Sequence, residues 1–158
     1  MQRVQKLISE LCFAEAPVLA ARDSVMHALN AMCDGTYDSV LVVDSGRVVG
    51  IFTGRDFLDR VAAPHRDPAA TTLGEVMTVH PESLRPRDCV SYAINRMAMR
   101  GFRNVPIVDD DGRPLGVLTV WDVMRHLGEI FEELDATPRI VDAASDISNV
   151  TWIDTGGG

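Results

Sequence analysis

Cysteine is scarce and scattered. Cys12, Cys33 and Cys89 are the three in 158 residues, and none lies in a CxxC pair. That argues against a disulfide framework or a zinc site and fits a reducing cytosol. The four histidines, His27, His65, His80 and His126, are equally dispersed and read as structural. No apolar run approaches the ~20 residues that cross a bilayer. Residues 1–11 are polar and amphipathic, without the charged start and long apolar run of a secretory signal. Basic residues are outnumbered 15 to 23, for a formal net charge of −8. This balance argues against nucleic acid or an anionic membrane as main partner, since both need clustered Lys and Arg. A local pocket can still be basic on an acidic protein. Catalytic signatures are missing too: no Ser-His-Asp elbow, P-loop lysine motif, HExxH or dinucleotide fingerprint is present. The run Asp109, Asp110, Asp111 reads as a turn rather than a general-acid site. No enzyme is expected.

What is present suffices for a core: 46% hydrophobic and 24% charged residues are ordinary for a globular chain of this length.

The organising feature is an internal repeat. Arg22-Asp23-Ser24-Val25 matches Arg87-Asp88-Cys89-Val90 at an offset of 65. Ala28, Asn30 and Met32 then match Ala93, Asn95 and Met97, and Val40, Val43 and Asp44 match Val105, Val108 and Asp109. One inserted residue moves the offset to 66, after which Gly46, Gly50, Thr53 and Asp56 match Gly112, Gly116, Thr119 and Asp122.

Each copy carries the same periodicities. Val25, Ala28, Leu29 and Met32, and again Val90, Ala93, Ile94 and Met97, make one apolar face of an amphipathic helix. Asp23 or Ser24, and Asp88, stand where an N-cap is wanted. Two β-rich runs follow: 39–44 and 47–52 around Ser45-Gly46, then 104–109 and 114–119 around Asp110-Asp111-Gly112, each a hairpin. A second helix is predicted over 54–63 and again over 120–134. Short extended pieces precede the first helices, near 18–20 and 83–85. Each copy is thus β-α-β-β-α, and neither buries much alone. The expected fold is α+β, two pseudo-symmetric motifs packed through their sheets as one module.

The expected organisation is an N-terminal helix at 1–13, motif 1 at 14–63, a linker at 64–76, motif 2 at 77–134 and a tail at 135–158. Val4, Leu7, Ile8 and Leu11 give the head its helical spacing. A helical turn is expected within 71–77. The acidic tail carries Ile147, Val150, Trp152 and Ile153, which can dock on the body or a neighbour.

The chemistry sits in Gly50-Ile51-Phe52-Thr53-Gly54-Arg55-Asp56 and Gly116-Val117-Leu118-Thr119-Val120-Trp121-Asp122. Both read Gly, two apolar residues, Thr, two variable residues, Asp. One reading is a helix cap, Thr at N-cap and Asp at N3, contributing about 1 kcal/mol. The other is a ligand site. Unpaired N–H groups at a helix start favour phosphate. A hydroxyl and a carboxylate on that turn can grip ribose hydroxyls, and the glycine lets a flat group approach the backbone.

These segments, with the duplication and element order, resemble tandem CBS-domain proteins over about two-thirds of the chain. The resemblance implies a pair of CBS motifs (a Bateman module) with two clefts that bind AMP, ADP, ATP or S-adenosylmethionine, with no covalent cofactor or metal. It implies a homodimer that regulates an enzyme or transporter. Carried over, Thr53 and Asp56 hold ribose in one cleft, and Thr119 and Asp122 in the other. Arg103 matches the family's phosphate-facing basic residue in copy two. Copy one has Asp38 there, so the clefts are expected to differ in affinity or ligand charge. Arg55 is either compensating charge or an exposed surface residue. Adenine is expected against the backbone near Val18 and Leu84. With about 23 heavy atoms at roughly 0.3 kcal/mol each, AMP gives a dissociation constant on the order of 10 μM. The rival reading is a ligand-free dimerisation or interaction scaffold, with both Thr/Asp pairs kept as caps.

Overall fold

The structure, a computed structural model, describes residues 6–35 and 37–133, with side chains through 130. Two compact units are distinguished, Met1–Met124 and Arg125–Gly158. The expected tail at 135–158 lies outside the described residues.

The first repeat begins with β1 (Val18–Ala20), followed by α1 (Val25–Gly35), β2 (Ser39–Asp44) and β3 (Arg47–Thr53). Ser24 caps α1, its Oγ accepting from the His27 N–H at 3.2 Å. Asp23 serves the turn before it, accepting from the Ala20 N–H at 2.7 Å. Ser45 and Gly46 both take positive φ, 50° and 78°, the backbone that a two-residue hairpin requires. The expected second helix is split into α2 (Gly54–Phe57) and a π-helical turn, Leu58–Ala62.

The second repeat has α4 (Val90–Arg100), β5 (Asn104–Val108), β6 (Pro114–Thr119) and α5 (Val120–Glu133). Asp88 is not the cap of α4: Cys89 holds that position without a side-chain bond. Asp88 instead accepts from the Arg85 N–H at 2.7 Å, as Asp23 does in copy one. The Asp109–Asp111 run is a turn, with Asp109 Oδ1 accepting from the Asp111 and Arg113 N–H groups at 2.9 and 2.8 Å. Both repeats even share a register shift, between Val42 and Val43 and between Ile107 and Val108.

Three expectations are corrected. The extended piece near 83–85 is a single parallel bridge, Leu84 to Ile107, rather than a strand. Pro81 and Pro86 flank it, and neither can donate to a ladder. The head at 1–13 has no α-helix among its described residues. It holds one 3-10 turn, Ile8–Glu10, between bridges from Leu7 to Cys89 and from Ala14 to Val117. Pairing to the second repeat outweighs the helical spacing. The expected linker has no buried residue over 64–70, but its end is core, at the helical turn expected within 71–77: α3 (Leu73–Val76) buries Leu73 and Val76 with Val25, Ala28, Val40, Phe52 and Val61. Its backbone is tied back as well, with Leu73 N–H donating to Asp23 O and Gly74 N–H to Ala21 O, both at 2.8 Å.

The two repeats exchange chain. β1 pairs in parallel with β2, and β2 antiparallel with β3, but the fourth strand of that sheet is β4 (Thr78–Val79), from the approach to copy two. Reciprocally, Ala14, from the approach to copy one, bridges Val117 in β6. The matched glycines sit under these crossings. The Met77 side chain fills the space that a Cβ at Gly50 would need, and Ala14 O and Phe13 Cδ2 would meet one at Gly116 at 2.6 and 2.8 Å. These glycines make room for the exchanged strand rather than for a flat ligand. Between the repeats, Leu41 and Ile51 of copy one form a buried cluster with Val117 of copy two, and Ala16 and Val48 pack on it.

Candidate functional site

Both strand-to-helix junctions are capping boxes. In copy one, the Thr53 N–H and Oγ1–H donate to Asp56 Oδ2 at 2.9 and 2.8 Å, and the Asp56 N–H donates back to Thr53 Oγ1 at 3.3 Å. In copy two, the Thr119 N–H and Oγ1–H donate to Asp122 Oδ2 at 2.8 and 2.6 Å, with the Asp122 N–H returning to Thr119 Oγ1 at 3.2 Å. Both aspartates are buried. Each Thr hydroxyl already donates to its own aspartate, so it meets a sugar as an acceptor unless that bond breaks.

In copy one the second carboxylate oxygen is engaged by the exchanged strand and by a neighbouring arginine. Asp56 Oδ1 accepts from Thr78 Oγ1 at 2.9 Å and stands 3.3 Å from Arg60 Nη1. Arg60 is itself anchored, donating to the Val76 and Met77 carbonyls at 2.8 and 2.7 Å. The exchanged strand thus lays Thr78 on the acid of copy one. Thr78 pairs with Ile51, and its counterpart by register, opposite Val117, is Ala14, which has no hydroxyl. Arg60 corresponds in sequence to His126.

Where Ala14 stands, a cavity of about 160 Å³ opens beside Thr119. Ala14, Glu15 and Ala16 contribute to it from the exchanged segment. Tyr37, Asp38 and Ser39 come from the approach to β2, and Val117 from β6. Asn104 and Trp121 complete it; the Oδ1 of Asn104 is buried with no hydrogen-bond partner among the described residues. The volume is below the ~300–1,000 Å³ that encloses a drug-sized ligand.

The other predicted residues lie elsewhere. Arg103 is exposed and absent from the lining of this cavity; the residue of its pair found there is Asp38. Arg103 still shapes the junction through its carbonyl, which accepts the Val120 N–H at 2.8 Å. That bond and the one from Asp122 N–H consume two of the first three amides of α5, so this helix end is less bare than the sequence suggests. Arg55 is a surface residue paired with Asp59 at 3.3 Å. Val18 is half exposed in β1. Leu84 is buried, with its N–H donating to Pro106 O and its C=O accepting from Val108 N–H, both at 2.9 Å, so its backbone is already engaged. Sequence reasoning missed Glu15, Tyr37, Ser39, Asn104 and Trp121. Trp121 offered a signal: a large aromatic in a variable slot of the motif, 67% exposed on the first turn of a helix.

Among the described residues no cluster of three or more His, Cys, Asp or Glu could hold a metal ion, and no helix is long and apolar enough to cross a membrane. The three cysteines are free.

The CBS domain family profile matches residues 8–63 and 73–129. The chain belongs to the CBS domain family. It is a tandem CBS pair, and each match takes in one Thr/Asp junction. A curated relative, the meiotically up-regulated gene 70 protein of Schizosaccharomyces pombe, is 33% identical over 129 residues, covering 81% of this chain and 18% of its own length. A second, the CBS domain-containing protein CBSCBSPB3 of Arabidopsis thaliana, is 29% identical over 139 residues, covering 88% and 25%. The CBS pair therefore spans about a quarter or less of these relatives. Among solved structures, the CBS domain pair of protein MJ0100 in complex with 5′-methylthioadenosine and S-adenosyl-L-methionine superposes with a TM-score of 0.68, at 25% identity, over 78% of this chain and 97% of that one. CBSX2 in complex with AMP shares the fold at 22% identity, with a TM-score of 0.67 over 78% and 97%.

Proposed function

We propose that this CBS pair is a non-catalytic regulatory module that binds an adenosine-containing ligand (AMP, ADP, ATP or S-adenosylmethionine) at the β6–α5 junction. The observation that carries the reading is the cavity beside Thr119, at the junction whose motif predicted a ribose grip. Thr119 and Asp122 hold the sugar, and Trp121 and Tyr37 offer stacking surface. The similarity to the adenosyl-bound pair of MJ0100 supports the same chemistry. At the other junction Asp56 is occupied by Thr78 and Arg60, so one ligand binds per chain. Thr53 and Asp56 act there as a cap, with Arg55 and Arg103 at the surface. The module dimerises with a second copy and passes ligand occupancy to an enzyme or transporter in a reducing cytosol, where its free cysteines stay reduced.

Ligand at 100 times its dissociation constant stabilises the native state by ~2.7 kcal/mol. For a chain of this size that raises Tm by roughly 5–10 °C. No shift with any adenosyl ligand at millimolar concentration favours the second reading, an interaction scaffold. The bonds of Asp56 to Thr78 and Arg60 are the observation on that side.

A further inference from the structure

The residues around the Thr119 cavity carry charge of one sign only. Glu15 and Asp38 line it, and no Lys or Arg does. Both acids are exposed, and no hydrogen bond or ion pair joins either to another described residue. The helix end adds little for an anion. The Val120 N–H goes to Arg103 O, the Asp122 N–H goes to Thr119 Oγ1, and the Asp122 carboxylate sits on the same turn. Trp121 stands at the lip, and an indole attracts cations through its π face.

We propose that this cleft selects adenosyl ligands whose 5′ substituent is neutral or positively charged, such as a sulfonium, over those with a 5′-phosphate. The proposal rests on the adenosyl reading of the site and fixes its ligand class. The residues that set the charge are the exchanged segment (Glu15) and the approach to β2 (Asp38), not the Thr/Asp motif.

Calorimetric titration of the full chain with S-adenosylmethionine, 5′-methylthioadenosine and AMP tests this. S-adenosylmethionine is expected to bind at least about tenfold more tightly than AMP, with 5′-methylthioadenosine between. The gap narrows as salt rises, because the two acids are exposed. Glu15→Gln with Asp38→Asn brings the ratio toward one, chiefly by strengthening AMP. Thr119→Val weakens all three ligands, and Trp121→Ala, at an exposed position that leaves folding intact, weakens S-adenosylmethionine most. AMP binding as tight as S-adenosylmethionine, and lost in Trp121→Ala and Thr119→Val, overturns the charge selection while leaving the adenosyl site standing. S-adenosylmethionine binding untouched by either substitution overturns the assignment to this cleft. No heat and no rise in Tm with any of the three overturns the adenosyl reading and the selectivity together.

Discussion

The two strand-to-helix junctions share a motif and differ in what the other repeat lays on top of them. In copy one the exchanged strand delivers Thr78 to Asp56, and Arg60 clamps the acid to the carbonyls of Val76 and Met77. In copy two the exchanged segment delivers Ala14, and a cavity opens beside Thr119. The repeated Gly-x-x-Thr-x-x-Asp therefore meets different partners in its two copies: Thr78, 22 positions downstream of Asp56, bonds the acid of copy one. Thr/Asp capping is common to both.

That contrast can be broken from either side. The largest effect is expected for Arg60→Met. It removes two bonds to backbone carbonyls and the cation beside a buried carboxylate, and costs about 2–3 kcal/mol in urea denaturation. Next, Ala14→Thr supplies copy two with the hydroxyl that copy one has. It narrows the cavity and weakens adenosyl binding by about tenfold or more, equivalent to about 1.4 kcal/mol, in a calorimetric titration. Thr78→Val does the reverse on copy one: it removes one hydrogen bond to Asp56, costs about 1 kcal/mol of stability and leaves ligand affinity unchanged.

The smallest effect concerns an ion pair that only copy two has. Arg96 on α4 clamps Glu82 through two hydrogen bonds, while the matched positions in copy one are Pro17 and Ala31. The Arg96 hydrogen bonds hold the Glu82 carboxyl below its ordinary range. A depressed carboxylate contributes stability that is full above its unfolded pKa and is lost as pH falls through the folded one. Arg96→Met therefore moves the acid-unfolding midpoint to higher pH, by a small amount that shrinks further in salt because the pair is near the surface. Circular dichroism against pH measures it.

Much of this fold was legible in the sequence because duplication prints the same pattern twice. Helix faces, hairpin turns and the β-α-β-β-α order all follow from local periodicity. The chain exchange does not, since which repeat a short segment pairs with leaves no period in the sequence. The approaches 13–16 and 77–79 hold too few residues to show alternation. For the same reason 73–76 read as linker, although Leu73 and Val76 are core, and Gly50 and Gly116 read as ligand contacts, although they clear space for a crossing strand. The spacing of Thr119 and Asp122 made their capping box legible, and Thr119 lines the cavity. Asp38, read from the sequence as the copy-one counterpart of Arg103, also lines the cavity beside Thr119 of copy two. Arg103 and Leu84 were chosen by position within a motif, and their backbone groups turn out to be spent on protein contacts.

The most direct test of the central claim is the stoichiometry of adenosyl binding to the intact chain. Titration of S-adenosylmethionine into the protein and into Ala14→Thr and Thr78→Val, followed by calorimetry, should give one ligand per chain. Binding should collapse in the first variant and be unchanged in the second. Two equivalent ligands per chain, or a single one lost in Thr78→Val and kept in Ala14→Thr, would contradict the claim that the exchanged strand closes one junction and leaves the other open.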